Sequence, residues 1–210
     1  SLSAYDVIFI LNRYFSIMRE VIIRHGGEVN NYIGDAILAI FGLKESRQQS
    51  LRAVSASVEM LKEMDHFKSY LKQAYGRDFD IRVGVHYGEV ISGSVGVGED
   101  RKVTVIGDAV NIASRIESIN KEAGTRLLIS ETVYDQVKEK VSVKNYLRLK
   151  LRGTSNLITL YEVSDVDSSA LKLNVTEVER TIDGKKWFRT LPIEELKLGE
   201  KKKFKLKEKE

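Results

Sequence analysis

Gly26-Gly27-Glu28-Val29-Asn30-Asn31-Tyr32-Ile33-Gly34-Asp35-Ala36-Ile37-Leu38-Ala39-Ile40-Phe41-Gly42 is the stretch on which the fold turns. Two short β-prone runs, Glu28 to Ile33 and Ala36 to Phe41, are separated by Gly34-Asp35, a pair of the kind that closes tight hairpins. Asp35 is therefore expected at or beside a hairpin tip. Upstream, Val7, Ile10, Leu11, Tyr14, Ile17, Met18, Val21 and Ile22 recur at steps of three and four between Asp6 and His25. That is the spacing of one buried helical stripe, and Gly26-Gly27 stops the helix.

Working downstream, a second helix is expected from about Ser46 to Tyr75, with Val54, Val58, Leu61, Met64 and Leu71 on its apolar side. Strands follow at Ile81 to Tyr87, Val90 to Val97 and Val103 to Ile106, then a helix at Asp108 to Glu122. Six of the fifteen glycines lie between Gly84 and Gly107, which marks close backbone approach or sharp bends. A strand at Arg126 to Ile129 leads through Ser130, a fitting N-cap, into a helix at Glu131 to Lys140. Tyr146 to Leu151 and Leu157 to Val163 close the pattern. This alternation predicts an α+β sandwich with helices packed on a mostly antiparallel sheet. Residues 1–164 form the expected main domain. Residues 165–210 form an extension opened by the polar, linker-like Ser164 to Ser169, either a small added hairpin and helix or a partly disordered tail.

At 210 residues there is room for one domain and an appendage. With 42% hydrophobic and 30% charged residues, the chain suits a soluble globular core, which excludes general disorder and a membrane bundle. No apolar run approaches the ~20 residues that cross a bilayer, and Ser1-Leu2-Ser3 has no secretion-signal character. The absence of cysteine fits the cytoplasm, or the cytoplasmic part of a membrane protein, and removes disulfides, thiolate metal sites and cysteine nucleophiles together. Net charge is +4, but the last ten residues hold six Lys and two Glu, so the first 200 carry 28 basic and 28 acidic residues. A neutral body with a basic tail is not the footprint of a nucleic-acid binder, and the tail reads as a solvated charge run.

Two segments carry candidate chemistry. Asp35, on a tight turn beside two strands, is a rigid and exposed carboxylate of the sort magnesium takes while keeping several waters. Asp also favours turns for backbone reasons alone. Asn111 and Arg115 stand four apart on one helix face, where an amide and a planar guanidinium could grip a sugar oxygen and a phosphate; many solvated helices show the same pair. Gly93-Ser94-Val95-Gly96-Val97-Gly98 has the wrong order for a dinucleotide fingerprint, and no Walker loop occurs. His86, inside an apolar strand, reads as a satisfied core or edge histidine.

Taken together, Gly26-Gly27-Glu28-Val29, Tyr32 to Gly42, Arg82-Val83-Gly84-Val85-His86-Tyr87-Gly88 and Val105 to Glu117 resemble the class III adenylate/guanylate cyclase catalytic domain. The resemblance runs from about Leu2 to Val163, and Leu151-Arg152-Gly153 and Tyr161-Glu162-Val163 agree with it. It implies a ferredoxin-like α+β domain that pairs head to tail as a homodimer, with active sites across the interface. One subunit then supplies two carboxylates for two Mg2+ or Mn2+ ions, and the other supplies the Asn and Arg. By resemblance Asp35 is the second metal ligand, Asn111 orients the ribose and Arg115 stabilises charge on the α-phosphate. The implied reaction turns ATP into 3′,5′-cyclic AMP and pyrophosphate.

The chain departs from the family pattern in three places. The block bearing the first metal carboxylate lies upstream of the first helix, and Ser1-Leu2-Ser3 resembles its tail. An omitted strand is the expectation, because its loss would expose a sheet edge and a core face. Thr104 matches the purine-selecting Thr of many bacterial adenylate cyclases, while its partner position holds Asn31 rather than the Lys of those enzymes or the Glu of guanylate cyclases. Arg152 stands where the family aims a Lys at the terminal phosphates, keeping charge and changing geometry. The rival readings are a non-catalytic cyclase-homology module that regulates a partner, guanylate cyclase specificity, and a palm-type polymerase or diguanylate cyclase. The last is disfavoured because Val29 and Asn30 follow Gly26-Gly27-Glu28.

Overall fold

In the computed structural model, residues 2–44, 47–98, 101, 103–150 and 157–171 are described in full, and residues 102, 179–182 and 185–188 as backbone. The chain divides into two compact units, 1–174 and 175–210.

The first unit opens with α1 (Ala4–Arg24), entered through a reciprocal cap. The Asp6 amide donates to Ser3 Oγ at 3.2 Å and the Ser3 amide to Asp6 Oδ2 at 3.0 Å, satisfying two amides that the first turn leaves without partners. The expected stripe is buried at Ile10, Tyr14, Met18, Val21 and Ile22, whereas Val7 is exposed. After α1 the antiparallel hairpin β1 (Gly27–Ile33) and β2 (Ala36–Phe41) forms where it was expected. Gly34 takes φ +63° at its tip, the left-handed region that glycine enters without strain. Helix α2 (Gln49–Tyr75) buries Val54, Val58, Met64 and Leu71, and ends on Gly76 at φ +62°.

Next come β3 (Val83–Val85), β4 (Ile91–Val95), β5 (Lys102–Ile106), α3 (Asp108–Ala123), β6 (Leu127–Ser130), α4 (Glu131–Val137), β7 (Val141–Lys150) and β8 (Leu157–Val166). The main sheet has the order β3-β6-β8-β7. Its β3–β6 pair is parallel and its other two pairs are antiparallel. Strand β3 is shorter than the alternation implied. It joins β6 and leaves β4 to pair with β5, because the backbone leaves strand geometry from His86 onward, around Gly88. Strands β7 and β8 run further than expected, to Val141 and Val166, so Ser164 to Val166 is strand rather than linker. The pairing Val141↔Val166 and the Ser164 hydroxyl donating to the Ser142 carbonyl at 3.1 Å hold that extension. Helix α4 stops at Val137, short of the expected Lys140.

Strand β6 is buried along its whole length. On one side of it Val54 and Val58 of α2 and Val133 of α4 cluster with Leu127 and Ile129, and on the other α3 seats Ile116 against Leu128 and Leu160. Each such side chain contributes roughly 1.5–3 kcal/mol by leaving water. A third cluster joins α1 to α2 through Met18, Met64, Phe67 and Leu71. In the second unit, β9 (Glu179–Ile182) and β10 (Lys185–Phe188) form an antiparallel hairpin. Among the described residues no helix is long and apolar enough to cross a membrane.

Candidate active site

Strand pairing from Gly27↔Phe41 to Ile33↔Ala36 leaves only Gly34 and Asp35 in the turn, so Asp35 stands at the tip as the sequence predicts. Its carboxylate is exposed and has no hydrogen-bond or ion-pair partner among the described residues. It borders a cavity of about 530 Å3. Ile37 and Leu38 of β2 wall the cavity on one side, Val83 and Val85 of β3 on another, and Tyr14 and Met18 of α1 behind. Both β2 and β3 have a single strand neighbour among the described residues, so each presents an open edge. Tyr14 is no base near neutral pH: burial, with Asp35's negative charge adding to it, pushes its hydroxyl up to about 12.

Asn111 and Arg115 share one face of α3, Asn111 exposed and Arg115 half-buried, and neither has a polar partner among the described residues. The opposite face locks the helix. Ile116 and Asn120 are buried; the Asn120 amide donates to the Val83 carbonyl at 3.0 Å, and Thr125 Oγ1 donates to Asn120 Oδ1 at 2.8 Å. Gly84 admits the close approach of this helix to β3, since a Cβ there would stand 2.6 Å from the Ala113 carbonyl oxygen and overlap the Glu117 amide. Asn111 and Arg115 therefore ride on a well-anchored helix, with no donor committed to another described residue. Asn120 escaped the sequence reading because a polar residue on an apolar stripe looks like an interruption; its carbonyl partner comes from β3, 37 positions away.

Thr104, half-buried on β5, donates its hydroxyl hydrogen to Asn30 Oδ1 at 3.2 Å. Its bonded neighbour is thus Asn30 and not Asn31, which is exposed on β1 and pairs with Leu38. A register shift between Val29 and Asn31 is the cause: the bulge leaves Asn30 without a partner on β2. No sequence signal marks it.

His86 is half-buried, and its Nδ1 lies 2.9 Å from Ser130 Oγ, which also bonds Thr132 Oγ1 at 2.9 Å. Burial lowers its pKa, which fits the satisfied histidine expected. Ser130 does precede α4, but its side chain makes no capping bond and serves this network instead. Arg152 and the Lys-rich tail lie outside the described residues. Among the described residues no three acidic or histidine side chains converge as a metal cluster. Asp35 nonetheless fits a hard cation: an exposed, rigidly placed carboxylate with no competing partner.

The pattern of the adenylate and guanylate cyclase catalytic domain matches residues 1–164. The chain belongs to that family. Adenylate cyclase 1 of Rhizobium meliloti (strain 1021) is 31% identical to it over 162 residues, 77% of this chain and 24% of that protein. The chain thus spans about a quarter of that relative's length. Of solved structures, the guanylyl cyclase Cya2 superposes with a TM-score of 0.73 at 29% identity, covering 80% of this chain and 85% of the other. The adenylyl cyclase CyaB from P. aeruginosa gives 0.72 at 26% identity, with 80% and 87% covered. These likenesses agree with the α+β cyclase fold, and the cyclase domain carries Asp35, Asn111 and Arg115 on surfaces outside its own core.

Proposed function

We propose that this cyclase domain acts as an adenylate cyclase, forming 3′,5′-cyclic AMP and pyrophosphate from ATP in a site shared between two copies. The observation that carries the reading is the state of three side chains. Asp35, Asn111 and Arg115 are carried by a hairpin tip and a packed helix, and none spends its polar groups on another described residue. Unpaired polar side chains carried on well-anchored elements are available to a ligand.

In this reading Asn111 orients the ribose from one copy, and the Arg115 guanidinium of that copy meets the charge that grows on the α-phosphate, a role its planar fork suits. Thr104 on β5 would border the purine edge together with Asn31 on β1, and Arg152 is assigned the terminal phosphates. Asp35 of the other copy would hold Mg2+ or Mn2+, two ions being expected per site. When bound, such a cation lowers the pKa of the ribose 3′-hydroxyl and so supplies the nucleophile. A second carboxylate is required beside Asp35, and the slot between the open edges of β2 and β3 is where an extended segment would bring it. The second reading, a regulatory cyclase-homology module without turnover, rests on Asn31, which stands where catalytic relatives are expected to carry Lys or Glu.

The test is product identity. The full-length protein, offered ATP and GTP side by side with Mn2+, should release pyrophosphate and a product with the mass of cyclic AMP. Intact dimers that release no pyrophosphate from either nucleotide would establish the regulatory reading instead.

A further inference from the structure

We infer that Asn30 sets which base this domain accepts, by fixing the direction in which the Thr104 hydroxyl points its proton. The inference deepens the adenylate cyclase reading and rests on it, because it takes Thr104 to border the purine.

The argument starts from a backbone carbonyl. Asn30 Nδ2 lies 3.4 Å from the carbonyl oxygen of Val103, and a carbonyl can only accept. The nitrogen end of the Asn30 amide therefore faces Val103, which turns Oδ1 toward Thr104. Oδ1 also only accepts, so the Thr104 hydroxyl must donate, and it does so at 3.2 Å. A hydroxyl has one proton and two lone pairs. With the proton committed to Asn30, Thr104 offers a ligand nothing but lone pairs.

An acceptor at that place selects chemistry. The 6-amino group of adenine donates to it, whereas the 6-oxo group of guanine sets lone pair against lone pair, and an unpaired polar contact in a closed site is costly. Room for a ring exists beside Thr104. Its cross-strand partner on β4 is Gly93, and apart from Gly93 and its two chain neighbours no atom of the described residues lies within 4 Å of where a Gly93 Cβ would stand. The bulge between Val29 and Asn31 is what aims Asn30 at β5. Asn30 is thus a positioning residue for a 6-aminopurine nucleoside triphosphate.

The experiment measures kcat/KM for ATP and for GTP with the full-length protein and Mn2+. Asn30→Ala frees the Thr104 proton to turn toward a 6-oxo group, so the ATP-to-GTP ratio should fall by about fivefold or more. Asn30→Leu, which keeps the volume, should give the same loss if the smaller side chain destabilises the hairpin. Asn30→Asp keeps an acceptor for Thr104 and should hold the ATP preference, while the carboxylate oxygen it sets against the Val103 carbonyl lowers stability. In a Thr104→Val background, Asn30→Ala should move the ratio no further. A ratio that stays constant while both activities fall together would make Asn30 merely structural and overturn the inference, as would wild-type preference for GTP. Failure of the wild type to turn over either nucleotide would instead remove the adenylate cyclase reading, and this inference with it.

Discussion

His25 Nε2 lies 2.6 Å from Glu59 Oε2, joining the end of α1 to the middle of α2 directly before the hairpin that carries Asp35. Arg24 binds the other oxygen of the same carboxylate. His25 is only 2% exposed, so its ring depends on Glu59. Burial raises the carboxyl pKa of Glu59, but the bond from His25 and the charges of Arg24 and His25 outweigh it and hold that pKa below the ordinary 4.5. A depressed carboxyl contributes stability that is complete above its ordinary value and lost as the pH falls through the lowered folded-state value. Glu59→Ala should therefore cost about 1–3 kcal/mol near neutrality. Glu59→Gln should flatten the fall in melting temperature as the pH drops from about 5 to about 3. Thermal unfolding followed by circular dichroism across that range checks both, and an unchanged acid slope would place the loss of stability elsewhere.

Asn111 and Arg115 make no polar contacts among the described residues, so the fold does not depend on them. Substitution of the exposed Asn111 moves stability by no more than about 0.5 kcal/mol, and substitution of the half-buried Arg115 breaks no polar contact among the described residues. Asn111→Ala and Arg115→Ala should lower turnover by about ten to a thousandfold and leave the melting temperature in place. Paired kinetic and unfolding measurements test this. Equal rates in the variants would remove both side chains from the reaction, and a large fall in melting temperature would assign them to the core.

The β1–β2 hairpin was legible because Gly34-Asp35 sits between two runs that could only be strands, and the α1 and α2 stripes because their periods are long. Partnership between strands was less legible. β3 joins β6 with β4, β5 and α3 intervening in sequence, and local pattern carries no trace of such a parallel pairing. The tip carboxylate and the α3 pair were visible as residue types at a fixed spacing. The Asn30–Thr104 bond, the Asn120 anchor and the His25–Glu59 contact were not, since each joins positions separated by more than 30 residues.

Gly84 links the sheet to that helix. A methyl group at this position would lie 2.6 Å from the Ala113 carbonyl oxygen and 2.9 Å from the Glu117 Cα, and these are backbone atoms that cannot swing aside. Gly84→Ala should destabilise the domain by about 1–3 kcal/mol or more and push α3 off β3. Because Asn111 and Arg115 travel with α3, turnover should fall even at temperatures where the variant is folded. Gly93→Ala, whose added methyl meets open space, is the control and should leave the melting temperature nearly unchanged. A Gly84→Ala variant as stable and active as the parent would show that β3 and α3 have more slack than their contact implies.

The sharpest test of a shared site uses two damaged chains. If Asp35 serves one site from one copy while Asn111 and Arg115 serve it from the other, Asp35→Ala homodimers and Arg115→Ala homodimers each lack one component at both sites. Mixing the two chains builds heterodimers in which one site has lost both components and the other has lost neither. Random pairing makes half of all dimers heterodimeric, each with one intact site, so a mixed sample should recover about a quarter of wild-type turnover. That recovery follows from the symmetry of a two-fold dimer and not from any property of the mutant side chains. Verified heterodimers that stay inactive would mean that Asp35 and Arg115 act within a single copy, and the head-to-tail arrangement would have to be abandoned.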